Sequence, residues 1–160
     1  MEKFLGVSLV ILWLLLARVN SQVEQSPEAL TIQEGENATM NCSYKTSINY
    51  LQWYRQDSGR GLVQLILIRS NEKEKTNGRL TATLDTSTTS SFLFITASQA
   101  ADTAAYFCAI DTSGYSSDTK VIFGAGTRLR VQPNIQGSDP AVYQLRGSKS
   151  SNISVCLFTD

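Results

Sequence analysis

The chain has 160 residues with 14 basic and 14 acidic side chains, a formal net charge of zero, and no histidine. That length allows one full domain and part of another, and the balanced charge gives no pull toward nucleic acid or an anionic membrane surface. Without histidine the chain lacks the commonest general base and the commonest metal ligand.

Residues 9–17 (LVILWLLLA) form a compact apolar run, preceded by Lys3 and followed by the small residue Ser21, with Val19 two places before it. The run is well short of the roughly 20 residues that a spanning helix needs. Residues 1–21 therefore read as a secretory signal peptide cleaved after Ser21, rather than as a membrane anchor. Cleavage removes Glu2, Lys3 and Arg18, leaving 12 basic against 13 acidic side chains and a charge of −1. No second apolar segment follows in this sequence.

From Val23 onward short alternating segments are separated by polar turns. Ala38 to Tyr44 sets Met40, Cys42 and Tyr44 against Thr39, Asn41 and Ser43. Leu51 to Gln56 sets Leu51 and Trp53 against Gln52, Tyr54 and Gln56. Leu62 to Ile68 is nearly all apolar, and Arg79 to Leu84, Ser91 to Ala97, Thr103 to Ala109 and Lys120 to Val131 continue the series. Period-2 alternation of this kind, with no long stripe at helical period, predicts an all-β antiparallel sandwich. Pro133 and Pro140 then bracket a polar join, PNIQGSDP, beyond which AVYQL and ISVCLF begin a new alternation. Residues 133–160 read as a linker and the opening strands of a second domain, too few for a sandwich of their own.

Cys42, Cys108 and Cys156 are the three cysteines. In a secreted chain a disulfide is their default fate, and without histidine or Cys-x-x-Cys a metal site is not expected. Trp53 follows Cys42 by 11 residues and Cys108 follows it by 66. This spacing lets a disulfide join two sheets with the indole packed against it. In DTAAYFC, Tyr106 and Cys108 share the inward face, and Tyr106 fits a tyrosine corner whose hydroxyl bonds backbone a few residues upstream. Asp102 precedes that strand in a turn, with Arg79 its expected partner; Phe107 and Ala109 point out of the core.

Taken together, NCSY, LQWYRQ, GRL and DTAAYFCA resemble an immunoglobulin variable domain, and WYRQ with ADTAAYFCA resembles that of a T-cell receptor. FGAGT at 123–127 is similar to the joining-segment motif, and IQGSDPAVYQLRGSKSSNISVCLFTD resembles the start of a T-cell receptor alpha constant domain. The resemblance implies a V-set sandwich over 22–132, with a joining segment over about 118–132, then a truncated constant-type domain over 133–160. Cys156 is then without its intradomain partner, and is expected as a free or mispairing thiol in this sequence.

The same resemblance implies three binding loops at one end of the sandwich, contacting peptide presented by an MHC molecule. The first is Thr46, Ser47, Ile48, Asn49 and Tyr50. The second runs from Ile68 through Arg69, Ser70, Asn71, Glu72 and Lys73 to about Lys75. The third lies between Cys108 and Phe123, from Ala109 to Ile122, and its centre is Asp111, Thr112, Ser113, Gly114, Tyr115, Ser116, Ser117 and Asp118. Its Tyr/Ser/Gly character is that of a paratope. Tyr50 and Tyr115 are the expected apolar anchors, with Asp111, Arg69 and Asp118 tuning charge.

A lone sandwich keeps its outer face polar, yet Gln52, Tyr54, Gln56, Phe107 and Phe123 mix amides with aromatics on one face. Such a patch marks a protein interface, which the resemblance assigns to the beta chain, Gln56 bonding its counterpart. The glycines of FGAG are expected to permit a bulge where two chains approach. Invariant signalling chains and a plasma-membrane location are implied by the family alone. Asn37, Asn41 and Asn152 match the glycosylation sequon, Asn37 being expected as the most accessible.

An enzyme is disfavoured: Gly114-Tyr-Ser-Ser-Asp lacks the closing glycine of a nucleophile elbow, and Gly124-x-Gly126 lacks the third glycine of a dinucleotide loop. No cofactor is expected. Another variable-type module is the competing reading. An antibody light chain normally reads WYQQ here, an adhesion receptor lacks the joining motif, and the sequence from Pro133 onward favours the T-cell receptor.

Overall fold

A computed structural model describes residues 21–112 and 120–134, the backbone of 142–146 and 154–158, and helical positions 7, 9 and 11. The rest of the expected signal peptide, the loop residues Ser113 to Asp118, the sequon at Asn152 and the thiol of Cys156 lie outside the described residues. Among the described residues no helix is long and apolar enough to cross a membrane.

The strands are β1 (Val23–Ser26), β2 (Ala29–Gln33), β3 (Ala38–Tyr44), β4 (Ile48–Gln56), β5 (Leu62–Arg69), β6 (Glu74–Asn77) and β7 (Leu80–Asp85). There follow β8 (Ser90–Ile95), a 3-10 turn at Ala100–Asp102, β9 (Ala104–Thr112), β10 (Lys120–Phe123) and β11 (Thr127–Gln132). The first sheet runs β1-β3-β8-β7-β6; the second runs β2-β11-β9-β4-β5, with β10 also on β9. Strands β12 (Val142–Arg146) and β13 (Ser154–Phe158) form a separate antiparallel pair.

Alternation explains the core. In β3 the residues Met40, Cys42 and Tyr44 are buried, and in β4 Leu51 and Trp53 are. Leu93 and Ile95 of β8, Tyr106, Cys108 and Ile110 of β9, and Leu129 and Val131 of β11 join them in the layer between the sheets, with Ile66 and Ile68 of β5 and Ala82 and Leu84 of β7. Cys42 and Cys108 are bridged across it, with Cα atoms 6.3 Å apart and 66 residues between them. Closing a loop of that length stabilises the fold by about 4 kcal/mol in the chain-entropy model. Trp53 lies beside Cys108 in the β4–β9 register.

Two features depart from the sequence reading. The stretch from Lys120 to Val131 is not one strand: Gly124, Ala125 and Gly126 break it into β10 and β11, which pair with successive parts of β9. The edge strand β6 begins at Glu74, inside the segment expected to be loop.

The N-terminal strands also divide between the sheets. β1 pairs antiparallel with β3, whereas β2 pairs parallel with β11. Pro27, which offers no N–H to either ladder, sits at the crossing. Gln25 fastens the two sheets there: its Oε1 accepts the N–H groups of Cys108 and Gly126, both at 3.0 Å. Its Nε2 donates to the Tyr106 carbonyl at 3.1 Å.

A candidate binding pole and pairing face

The second sheet carries the strand ends that flank the three candidate loops and the residues of the candidate pairing face. β4 starts, and β5 and β9 end, at the same pole, because β4 is antiparallel to both neighbours. Register places Tyr50 beside Arg69 on one side and Asp111 on the other. The turn after β5 is tight: the Arg69 N–H donates to Glu72 Oε2 at 2.8 Å, and the Glu72 N–H returns to the Arg69 carbonyl at 2.9 Å. The Ser70 N–H donates to the Asn49 carbonyl at 2.9 Å, tying the second loop to the first. Asn49 Nδ2 donates to Asp111 Oδ2 at 3.2 Å, tying the first to the base of the third. At the hairpin, Thr112 Oγ1 donates to the Lys120 carbonyl at 3.2 Å.

Several expected loop residues belong to strands. Ile48 is 8% exposed and part of the core, so it offers no contact surface at the pole. The third loop does not start at Ala109: Ala109, Ile110 and Asp111 are buried in β9. Asp111 was expected to tune charge at the surface, but it is only 3% exposed. It faces outward between Tyr50 and Val121, with small Ala109 next along the face between Gln52 and Phe123. Larger neighbours on flanking strands cover both short side chains, which alternation alone does not report. The second loop closes at Lys73, before β6. Thr46, Ser47, Asn49, Tyr50, Arg69, Ser70, Asn71, Glu72 and Thr112 remain exposed or half-buried at the pole.

Below the pole the outward face of the second sheet is aromatic. Tyr54 and Phe123 have ring centroids 5.6 Å apart at 45°. Leu62 is 46% exposed, Phe123 44% and Val121 42%. Phe107 lies directly opposite Tyr54. Amides interleave these groups: Tyr54 Oη donates to Gln52 Oε1 at 2.7 Å, and Gln56 Nε2 donates to the Arg60 carbonyl at 3.0 Å. The FGAG glycines make room within the chain itself. A Cβ at Gly126, where φ is +91°, would stand 2.5 Å from Phe107 Cε1, and one at Gly124 would stand 2.4 Å from Gln25 Oε1. Both glycines thus admit side chains of this same chain, and Phe107 keeps its place on the face.

At the opposite end Arg79 and Asp102 form a two-pronged pair, Nη1 to Oδ2 at 2.7 Å and Nη2 to Oδ1 at 2.9 Å. The Gln99 N–H adds a third bond to Oδ2 at 2.8 Å. Burial alone would raise the Asp102 carboxyl, but these bonds and the charges of Arg79 and Arg55 hold it below the usual carboxylate range. Tyr106 Oη donates to the Asp102 carbonyl at 2.7 Å. Burial pushes the Tyr106 hydroxyl up to about 12. These groups are closed on one another, and among the described residues no cluster of three or more Cys, Asp or Glu is placed to hold a metal.

An immunoglobulin V-set domain model matches residues 25–132, and a model described as a domain of unknown function matches 140–160. The human T cell receptor alpha variable 17 is 79% identical over 112 residues, covering 69% of this chain and all of that protein. The mouse T-cell receptor alpha chain V region 2B4 is 47% identical over 133 residues, 81% of this chain and 99% of that one. The human T cell receptor alpha chain MC.7.G5 is 43% identical over 141 residues, and the chain spans 50% of its length.

Proposed function

Because this chain belongs to the immunoglobulin V-set family and, within it, to the T-cell receptor alpha variable domains, we propose that it is the antigen-recognition subunit of an alpha-beta T-cell receptor. In this reading it binds peptide presented by an MHC molecule, together with a beta chain, and performs no catalysis. Residues 118–132 serve as the joining segment and 133–160 as the linker and start of the constant domain. The receptor sits at the plasma membrane after passage through the secretory pathway, coupled to invariant signalling chains.

The observation that carries this reading is that one sheet presents both features. Strands β5, β4, β9 and β10 bear the outward apolar groups Leu62, Tyr54, Phe107 and Phe123, and the strand ends that flank the proposed loops, at Ile48, Arg69, Thr112 and Lys120, lie at one pole. Docking a second such sheet on that face brings two sets of loops to one composite surface. An aromatic patch rimmed by amides suits a protein partner. Burying Phe123 and its neighbours contributes about 25 cal/mol per Å² of apolar surface removed from water. Tyr50, with Tyr115 of the third loop, serves as a rigid apolar anchor, and Arg69 and Asp118 tune charge. Asp111 braces the first loop through Asn49.

The test is co-expression with the beta chain from the same cell, followed by screening of the pair against multimers of presented peptide. Binding that falls on Tyr115→Ala, and pairing that falls on Phe123→Ser, are expected. Pairing with no T-cell receptor beta chain would overturn the proposal, and unchanged affinity in Tyr115→Ala would remove the third loop's assigned anchor.

A further inference from the structure

The outer face of the first sheet lies away from the pairing face, and it joins a sequon to an exposed aromatic shelf. Asn41-Cys42-Ser43 fits Asn-x-Ser/Thr, and Asn41 faces outward because Cys42 faces the core. Asn41 stands directly opposite Phe92 of β8, and Thr39 opposite Phe94. The two phenylalanine rings stack with centroids 6.1 Å apart at 25°, and Phe92 is 37% exposed. On their other side lie Thr83 and Thr81. The Asn41 side chain makes no hydrogen bond among the described residues: the residue is half-buried, and its Oδ1 is buried without a partner. Asn37, by contrast, uses its Oδ1 to accept the Ala97 N–H at 2.9 Å.

We propose that Asn41 is N-glycosylated and that the first sugar of its glycan lies across Phe92 and Phe94. In the transfer the Asn41 amide nitrogen attacks the anomeric carbon of a polyprenyl-pyrophosphate-linked oligosaccharide. The new C–N bond forms as the C–O bond to pyrophosphate breaks, the amide loses one proton, and the polyprenyl pyrophosphate leaves. Transfer precedes folding, since in the sandwich Asn41 is flanked by Ser26 and Phe92 and its neighbour Cys42 is sealed in the core. Once folded, the Asn41 Cβ lies about 5 Å from the Phe92 Cβ, the spacing of directly opposed strand residues, and the sugar continues from the amide nitrogen two bonds further out. The electron-rich ring faces then meet the C–H face of the sugar. The threonine hydroxyls beside the rings meet its polar edge. An aromatic pair otherwise left in water is covered, and the pole and pairing face stay open. The proposal rests on the proposed passage through the secretory pathway, but not on recognition of presented peptide.

The chain is co-expressed with a T-cell receptor beta chain in mammalian cells and treated with peptide N-glycosidase in ¹⁸O water. Fragment-ion mass spectrometry then resolves positions 37 and 41. Labelled aspartate at position 41 is expected; an unlabelled position 41 overturns the proposal. In the unsubstituted glycoprotein, NMR should find the C–H protons of the first sugar shifted upfield by the phenyl ring currents. Shifts equal to those of a free glycan overturn the packing. The double variant F92S/F94S should keep its glycan and release it to the glycosidase under native conditions about fivefold faster, the factor that ~1 kcal/mol gives. An unchanged release rate in a folded double variant also overturns the packing.

Discussion

Trp53 Nε1 donates a hydrogen bond to Ser91 Oγ at 3.0 Å, from the second sheet to the first, with both residues fully buried. Ser91 stands directly opposite Cys42 in the β3–β8 register. The indole is thereby held on one side by the disulfide neighbourhood and on the other by a hydroxyl. An indole N–H has no other way to be satisfied in a dry core. Ser91→Ala leaves it unpaired and is expected to cost about 1–3 kcal/mol. Denaturant unfolding with the disulfide intact reads the change, and a loss below a few tenths of a kcal/mol would argue against the role.

The Arg79–Asp102 pair predicts an acid limb to stability. The Asp102 carboxyl is lowered in the fold relative to the ordinary aspartate value, about 3.9. Its contribution is therefore fully present above about pH 4 and is lost as pH falls through the lower folded value. Asp102→Asn should flatten that limb. At neutral pH the variant should lose about 2 kcal/mol, less than for a sealed pair, because the Arg79 side chain is 38% exposed. Thermal unfolding of both proteins from pH 2 to 7 checks the sign.

Tyr106 predicts the alkaline counterpart. Its folded value, about 12, lies above the ordinary tyrosine value, so stability is present below about pH 10 and declines as pH rises toward the folded value. Tyr106→Phe removes the bond to the Asp102 carbonyl, costs about 1 kcal/mol at neutral pH, and should make the decline above pH 10 shallower.

Gln25 closes three backbone groups that the β11–β10 break leaves open. Gln25→Ala strands two N–H groups and one carbonyl, and is expected to destabilise by about 2–3 kcal/mol. Amide hydrogen exchange localises the effect: Cys108 and Gly126 should lose protection while β7 and β8 keep theirs.

Gly126→Ala combines a strained φ with a collision against Phe107. The ring must move on the pairing face, so destabilisation of about 1–3 kcal/mol and weakened association with a beta chain are expected. Analytical ultracentrifugation of the pair measures the second effect. Unchanged association would mean that Phe107 is not part of the contact.

The sequence by itself determined the class of fold, because period-2 alternation reports which face each residue takes. Cys42, Trp53 and Cys108 were legible together, since their spacing reflects the number of strands between two sheets. Tertiary structure alone decided how deeply an outward residue sinks. Asp111 and Ala109 face away from the core and are nonetheless buried, because Tyr50, Gln52, Val121 and Phe123 arrive from strands that no local pattern links to them. The same holds for Gln25, whose partner Gly126 lies 101 residues away, and for Asn41, whose aromatic neighbour is supplied by β8. Alternation encodes direction, while cover, hydrogen-bond partners and room for a Cβ depend on which strands the fold sets side by side.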